Sequence, residues 1–186
     1  MKHLLALLLL ASMLVAPGPS RATTVEDTAK RVTALADRYV AEYRRYYPIA
    51  YAFSGMPMEQ HDGIDINAPA DLAKWRAFQR GLARELAMLP ADSLAGRPEW
   101  TTWQFLNHAL RQGAATEVCR QELWSVSPLG WQAGLPQLAD IQPVGTDGDR
   151  AQALVRWRGM GAWVDQEIAN LREGQRLGYS ATLSSV

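Results

Sequence analysis

The side chains best suited to chemistry are few. His61, Asp62 and Asp65 stand together in "HDGIDIN", His108 lies in "WTTWQFLNHALRQ", and Cys119 is the single cysteine. Imidazole and carboxylate groups this close are the raw material of a metal site. A catalytic zinc, however, takes about three protein ligands and keeps one position open, and the spacing here matches no known ligand set. The sequence has no H-E-x-x-H, no C-x-x-C, no G-x-S-x-G and no phosphate-binding glycine loop. We therefore read 61–65 as a solvated polar loop. His108 falls two residues after Leu106, at the rim of an apolar helix face, and no nucleophile or orienting carboxylate stands at helical spacing from it. It reads as a hydrogen-bonded structural histidine. Cys119 has no partner for an intrachain disulfide and reads as a buried, inert thiol. No catalytic residue and no metal ligand is assigned.

The elements that must carry these side chains are helical. Ala29, Val32, Ala36, Tyr39, Tyr43 and Tyr46 recur every three or four residues, the stripe of an amphipathic helix. Thr24 and Asp27 suit a capping box at its start, and Pro48 ends it or opens a new helix. Tyr39, Tyr43, Tyr46 and Tyr47 read as core rather than as a platform for sugars. In the next helix Asn67 is the expected cap, Pro69 sits in the first turn, and Leu72, Trp75, Phe78, Leu82, Leu86 and Leu89 form one face. A helix over 99–112 should end at Gly113, and a shorter one should cover 117–124. The last block runs from Arg150 to about Leu177 behind a Thr146/Asp149 box. Leu154, Trp157, Trp163, Ile168 and Leu171 are expected to face inward, with a break at Gly159 and Gly161. No run alternates long enough to be a strand. The fold expected is all-α, with five or six helices and one long irregular region at about 125–147.

Residues 1–22 stand apart. Lys2 precedes an apolar run from Leu4 to Val15, Pro17 and Gly18 break it, and Ser20-Arg21-Ala22 is a small-x-small site. This is the pattern of a secretory signal peptide cleaved after Ala22, too short for a stable membrane span. The expectation is a periplasmic or secreted bacterial protein with no membrane contact after cleavage. Cleavage removes Lys2 and Arg21, leaving 17 basic against 19 acidic residues among 23–186. With no basic stripe, nucleic acid is excluded as a partner.

The irregular region is the best functional surface, because loops held by a helical scaffold carry binding residues. Asp62 and Trp131 are the candidates for a substrate cleft. Trp131 and Trp124 also suit a simpler role, pinning that loop to the core.

Several segments are unusual enough to carry a resemblance: "YYPIAYAFSG" (46–55), "HDGIDINAPADLAKW" (61–75), "CRQELWSVSPLGWQAGLPQLADIQPVGTD" (119–147), "RAQALVRW" (150–157) and "VDQEIANLREGQRLGY" (164–179). Together they span most of the chain after residue 22. In order and content they resemble the bacterial family called domain of unknown function 885. The resemblance implies an exported, mostly helical protein similar to zinc metallopeptidases. The His-Glu motif of such proteins binds zinc, which polarises the scissile carbonyl and activates water. That motif lies downstream of the region matched, so no cofactor is expected in this chain, while zinc is expected in full-length relatives.

Two readings follow. In one, residues 23–186 are the N-terminal portion of a peptidase-like hydrolase, truncated before its zinc motif, forming a wall of a cleft for peptide and inactive alone. "YSATLSSV" after Gly178 then begins a connection into further helices. In the other, the chain is a stand-alone helical binding or scaffolding module.

Overall fold

Six helices are present in the computed structural model, which describes residues 24–124 and 131–179. They are α1 (Val25–Tyr46), α2 (Pro48–Phe53), α3 (Pro69–Ala87), α4 (Pro98–Thr116), α5 (Leu135–Ile141) and α6 (Asp147–Arg176). No strand occurs among the described residues. The expected signal peptide, residues 125–130 and the tail 180–186 lie outside them.

Local chemistry sets the starts. Four helices carry proline in the first turn, where its missing N–H is no loss. The other two begin at threonine. At Thr24 the hydroxyl accepts from the Asp27 N–H at 3.0 Å. At Thr146 both halves of the box close, at 3.1 and 2.9 Å.

α1, α3 and α4 pack on one apolar core. Val32, Leu82, Leu86, Leu94, Leu106 and Leu110 are buried in it, each contributing about 1.5–3 kcal/mol by burial. At its edge Trp75 is buried among Tyr39, Tyr43, Tyr46, Tyr47 and Phe78, with ring centroids 5.4–6.2 Å apart. These tyrosines are packing residues, as their spacing indicates. Gly113 does not end α4, which runs on to Thr116. A Cβ there would stand 2.7 Å from Gln79 Nε2, so glycine lets α4 approach the α3 side chain.

α6 packs by different chemistry. It is one helix of 30 residues, unbroken at Gly159 and Gly161. A helical glycine costs only about 1 kcal/mol, and long-range side-chain bonds hold this helix in place. Its inward face is mostly polar: Gln152, Arg156, Trp163, Glu167 and Asn170 recur at helical spacing and bind residues 61–67, which have no regular structure of their own. The His61 N–H donates to Gln152 Oε1. Arg156 Nε donates to the Gly63 carbonyl at 2.8 Å, Trp163 Nε1 to that of Asp65 at 2.6 Å, and Asn170 Nδ2 to that of Asn67 at 2.9 Å. Asn67 is therefore no helix cap; its amide donates to the Trp163 carbonyl and to Glu167, and α3 begins behind Ala68 without a side-chain cap.

Leu154, Trp157 and Ile168, expected inside, are exposed; Leu154 keeps 52% of its surface. The inward face meets backbone rather than side chains, so donors and acceptors were needed there. Residues 117–124 form two short 3-10 turns about Arg120, whose φ is 46°, instead of a helix. Cys119 and His108 are exposed, against the buried thiol and the rim histidine expected. On α4 the inward positions are Leu106 and Leu110, so His108 between them turns to solvent. No helix among the described residues is long and apolar enough to cross a membrane.

The far end of α6 closes on the 121–123 turn through Gly174, where a Cβ would overlap the Leu123 carbonyl oxygen. Gly161 has nothing within 4 Å. Gly174→Ala should therefore lower stability by about 3 kcal/mol or more through overpacking against backbone. Gly161→Ala should raise it by about 0.5–1 kcal/mol through lost unfolded-state entropy. Urea unfolding of the two variants checks both, and equal effects would refute the contact at Leu123.

Candidate functional site

Four elements that share little sequence meet around one cavity of about 510 Å³. α2 contributes Ile49, Ala50 and Phe53, and the 61–67 segment contributes Ile64 and Asp65. The 131–134 turn with α5 adds Trp131, Gly134 and Leu138, and α6 adds Met160 and Trp163. The volume falls in the range of small-ligand sites, and the lining is mainly apolar, as such sites require.

Among the described residues, Asp65 is the one ionisable side chain on this lining. Tyr47 caps α2 with no side-chain bond, and Asp65 fills that place from sixteen residues away. Its carboxylate accepts the Ile49 N–H at 2.7 Å and the Ala50 N–H at 3.3–3.4 Å. Burial pushes its pKa up to about 6, against the opposing pull of those two N–H groups and of Arg156. A carboxyl group poised there can hold or release a proton near neutrality, or face a cation.

Trp131 and Trp163 meet edge to face, centroids 4.9 Å apart and planes at 77°. Trp163 is oriented by its bond to the Asp65 carbonyl. Trp131 keeps 39% of its surface, so it forms an open rim of the cavity. Trp124 is exposed at the side of its turn, with Nε1 bonded to the Cys119 carbonyl.

Asp62 lies elsewhere. It lines a second cavity of about 520 Å³ between the end of α1 and residues 58–63, together with Glu42, Arg44 and Arg45. The structure does not bring the two cleft candidates together. Asp65, Trp163 and Phe53 are the companions of Trp131. Asp65 reads from the sequence as part of a solvated polar loop, whereas it lines the cavity; Trp163, expected to face inward, lines it too. The signal that could have found them is the short alternation Ile64-Asp65-Ile66-Asn67. Apolar and polar residues take turns there in a segment too short to count as a strand.

Behind the segment lies Arg156, 1% exposed. It donates to the Gly63 carbonyl and, at 2.6 Å, to Gln142 Oε1, while its Nη2 has no partner among the described residues. It makes no ion pair with Asp65; burial depresses its pKa, while Asp62 and Asp65 oppose that shift. Among the described residues no three His, Cys, Asp or Glu side chains converge as a metal site.

Over residues 48–186 the chain matches the family described as "Bacterial protein of unknown function (DUF885)". The chain belongs to the DUF885 family. The match takes in α2, the 61–67 segment, α5 and α6, so every element of the cavity lies within the family's shared region. No curated protein and no solved structure matches the chain.

The raised pKa of Asp65 carries a pH dependence of definite sign. Because its folded pKa lies above the unfolded value, the folded state binds more protons, and stability falls as pH rises from about 4 through 6. Asp65→Asn keeps an acceptor for the α2 N–H groups and removes the titration. Relative to that variant, the wild type should lose about 2–3 kcal/mol between pH 4 and 7. Parallel stability–pH curves from urea titrations would disprove the buried carboxylate.

Proposed function

We propose that the described residues form the substrate-binding wall of a peptidase-like hydrolase in the periplasm or outside the cell, with peptide as the substrate. The observation that carries this reading is the cavity between α2, α5 and α6: ligand-sized, mainly apolar, rimmed by Trp131 and open to solvent on that side. Membership of DUF885 places the cavity in the family's shared region; the peptidase part of this reading rests on the resemblance drawn from the sequence. The residues described do not themselves fit a catalytic zinc, since no ligand cluster forms among them. On this reading bond cleavage belongs to a part of the enzyme outside them.

A second observation points the same way. Leu154, Val155, Trp157 and Ile168 expose apolar side chains along α6. Further chain laid on α6 would cover them. A self-sufficient binding module has less use for such a face.

Peptide binding is directly visible in the tryptophans. Short apolar peptides should move the indole N–H resonances of Trp131 and Trp163 and leave those of Trp75 and Trp103 in place. The same purified chain should hydrolyse no peptide. Peptide cleavage with stoichiometric zinc, or the absence of any indole shift at millimolar peptide, overturns the proposal. A cooperative melt with little binding of a hydrophobic dye favours the stand-alone module.

A further inference from the structure

Electrostatically the cavity is one-sided. Trp131, Trp163 and Phe53 line it, and the faces of aromatic rings carry partial negative charge. The one ionisable side chain among the described lining residues, Asp65, is an acid. The perpendicular packing of the two indoles makes a corner, where a small group can touch one ring face and another ring edge. An anion gains nothing there. A metal ion would find one carboxylate where it takes several oxygen ligands. A neutral apolar molecule would fill the space and leave Asp65 as it is. The group that suits all of these walls is a weakly hydrated cation with carbon attached. Aromatic corners attract such ions through the ring quadrupole.

We propose that the cavity binds an alkylammonium group, its charge between Asp65 and the Trp131–Trp163 corner and its apolar part against Ile49, Ile64 and Leu138. This rests on the cavity being a ligand site, as proposed above; it adds the chemical class of the ligand.

Asp65 has the capacity. A carboxylate offers about four lone-pair positions. The contacts to α2 involve Oδ1 twice and Oδ2 once. The charged groups around it leave it short of positive charge. Arg156 on α6 directs its Nε and Nη1 to Gly63 and Gln142. Tyr43 on α1 and Tyr47 at its end face Asp65 as neutral phenols, and burial pushes both of their pKa values up. A cation entering the cavity would supply what these neighbours do not. The volume of about 510 Å³ exceeds an ammonium group alone, so the ligand carries an apolar body. Two sources offer that chemistry: the free amino terminus of a peptide with an apolar first residue, and a small quaternary ammonium compound.

The test titrates the full chain with three probes, followed by calorimetry and by the Trp131 and Trp163 indole resonances. They are phenylalaninamide, its N-acetylated and hence neutral form, and benzyltrimethylammonium. At least one cationic probe should bind about tenfold or more tightly than the neutral one. Asp65→Asn should remove that preference while leaving the neutral probe unchanged. Benzyltrimethylammonium, charged at every pH, should bind about tenfold more weakly at pH 5 than at pH 7.5, because Asp65 takes up a proton. Tighter binding of phenylalaninamide assigns the site to a peptide amino terminus; tighter binding of the quaternary probe assigns it to a small cation. If the neutral probe binds as well as both cations, the ammonium assignment is wrong and the peptide wall stands. If no probe binds, both are wrong. The comparison of probes on the wild type needs no variant to fold.

Discussion

The cavity and the near half of α6 depend on one seam, the side chains of α6 bonded to residues 61–67. An irregular segment cannot satisfy its own backbone, and a buried unpaired carbonyl costs about 1–3 kcal/mol. Here alternate residues of the segment, 61, 63, 65 and 67, present backbone groups to α6, and Gln152, Arg156, Trp163 and Asn170 meet them. The N–H of Ile66 goes the other way, to the carbonyl of Tyr46 at the end of α1. The segment is thus held between the apolar core and the long helix. It also carries the Asp65 carboxylate to the start of α2, so the seam positions three of the four elements around the cavity.

The two halves of the molecule are stabilised by different forces, and they should answer differently to insult. The α1/α3/α4 core is apolar and tolerates volume-conserving change. The seam is directional. Each bond is worth about 1 kcal/mol when made and leaves a buried group exposed to desolvation cost when broken. Arg156 shows the stake. Its charge is buried, two of its donors are placed, and Nη2 is not. Replacing both partners of such a group with apolar residues is often neutral, whereas removing one partner is costly. A seam of this kind specifies one arrangement of α6 more than it adds to overall stability.

This division explains what could be read from the sequence. The apolar half was legible: Leu82, Leu86, Leu106 and Leu110 lie where their three- and four-residue spacing puts them, and the caps at Thr24 and Thr146 form as their residues suggest. The polar half was read only in part: Trp163 faces inward as expected, and three other residues do not. Periodicity assigns the apolar side of a helix to the interior, and on α6 the apolar residues Leu154, Trp157 and Ile168 face solvent while Arg156 and Asn170 are buried. A helix that packs on backbone reverses the usual pattern, and hydropathy cannot show what the partner is. Glycine misled for a related reason. Gly113 and Gly159 read as breakers, yet they sit where Gln79 and Ile64 come close. Of the cavity lining, Trp131 is the residue its loop singles out in the sequence. Asp65 was missed as a cavity residue because its role depends on α2, sixteen residues earlier.

Asp65 is also where stability and function part company. As a cap for α2 it needs only acceptor oxygens, and asparagine would supply one without charge. The ionised carboxylate is the costlier choice, since burial raises its pKa and no ion pair answers it. The charge suits the start of α2, where unpaired N–H groups favour an anion, while burial works against it. A cation in the cavity, as proposed above, would relieve that cost. Groups held at such a disadvantage cluster at working sites, because what destabilises them in the empty protein is what a ligand can relieve. The indole corner beside it makes the same demand from the other direction, offering negative ring faces where an apolar filler could have closed the core. The carboxylate and the indole corner thus suit the same partner, and through Asp65 and Trp163 both are fixed by the seam that holds the segment.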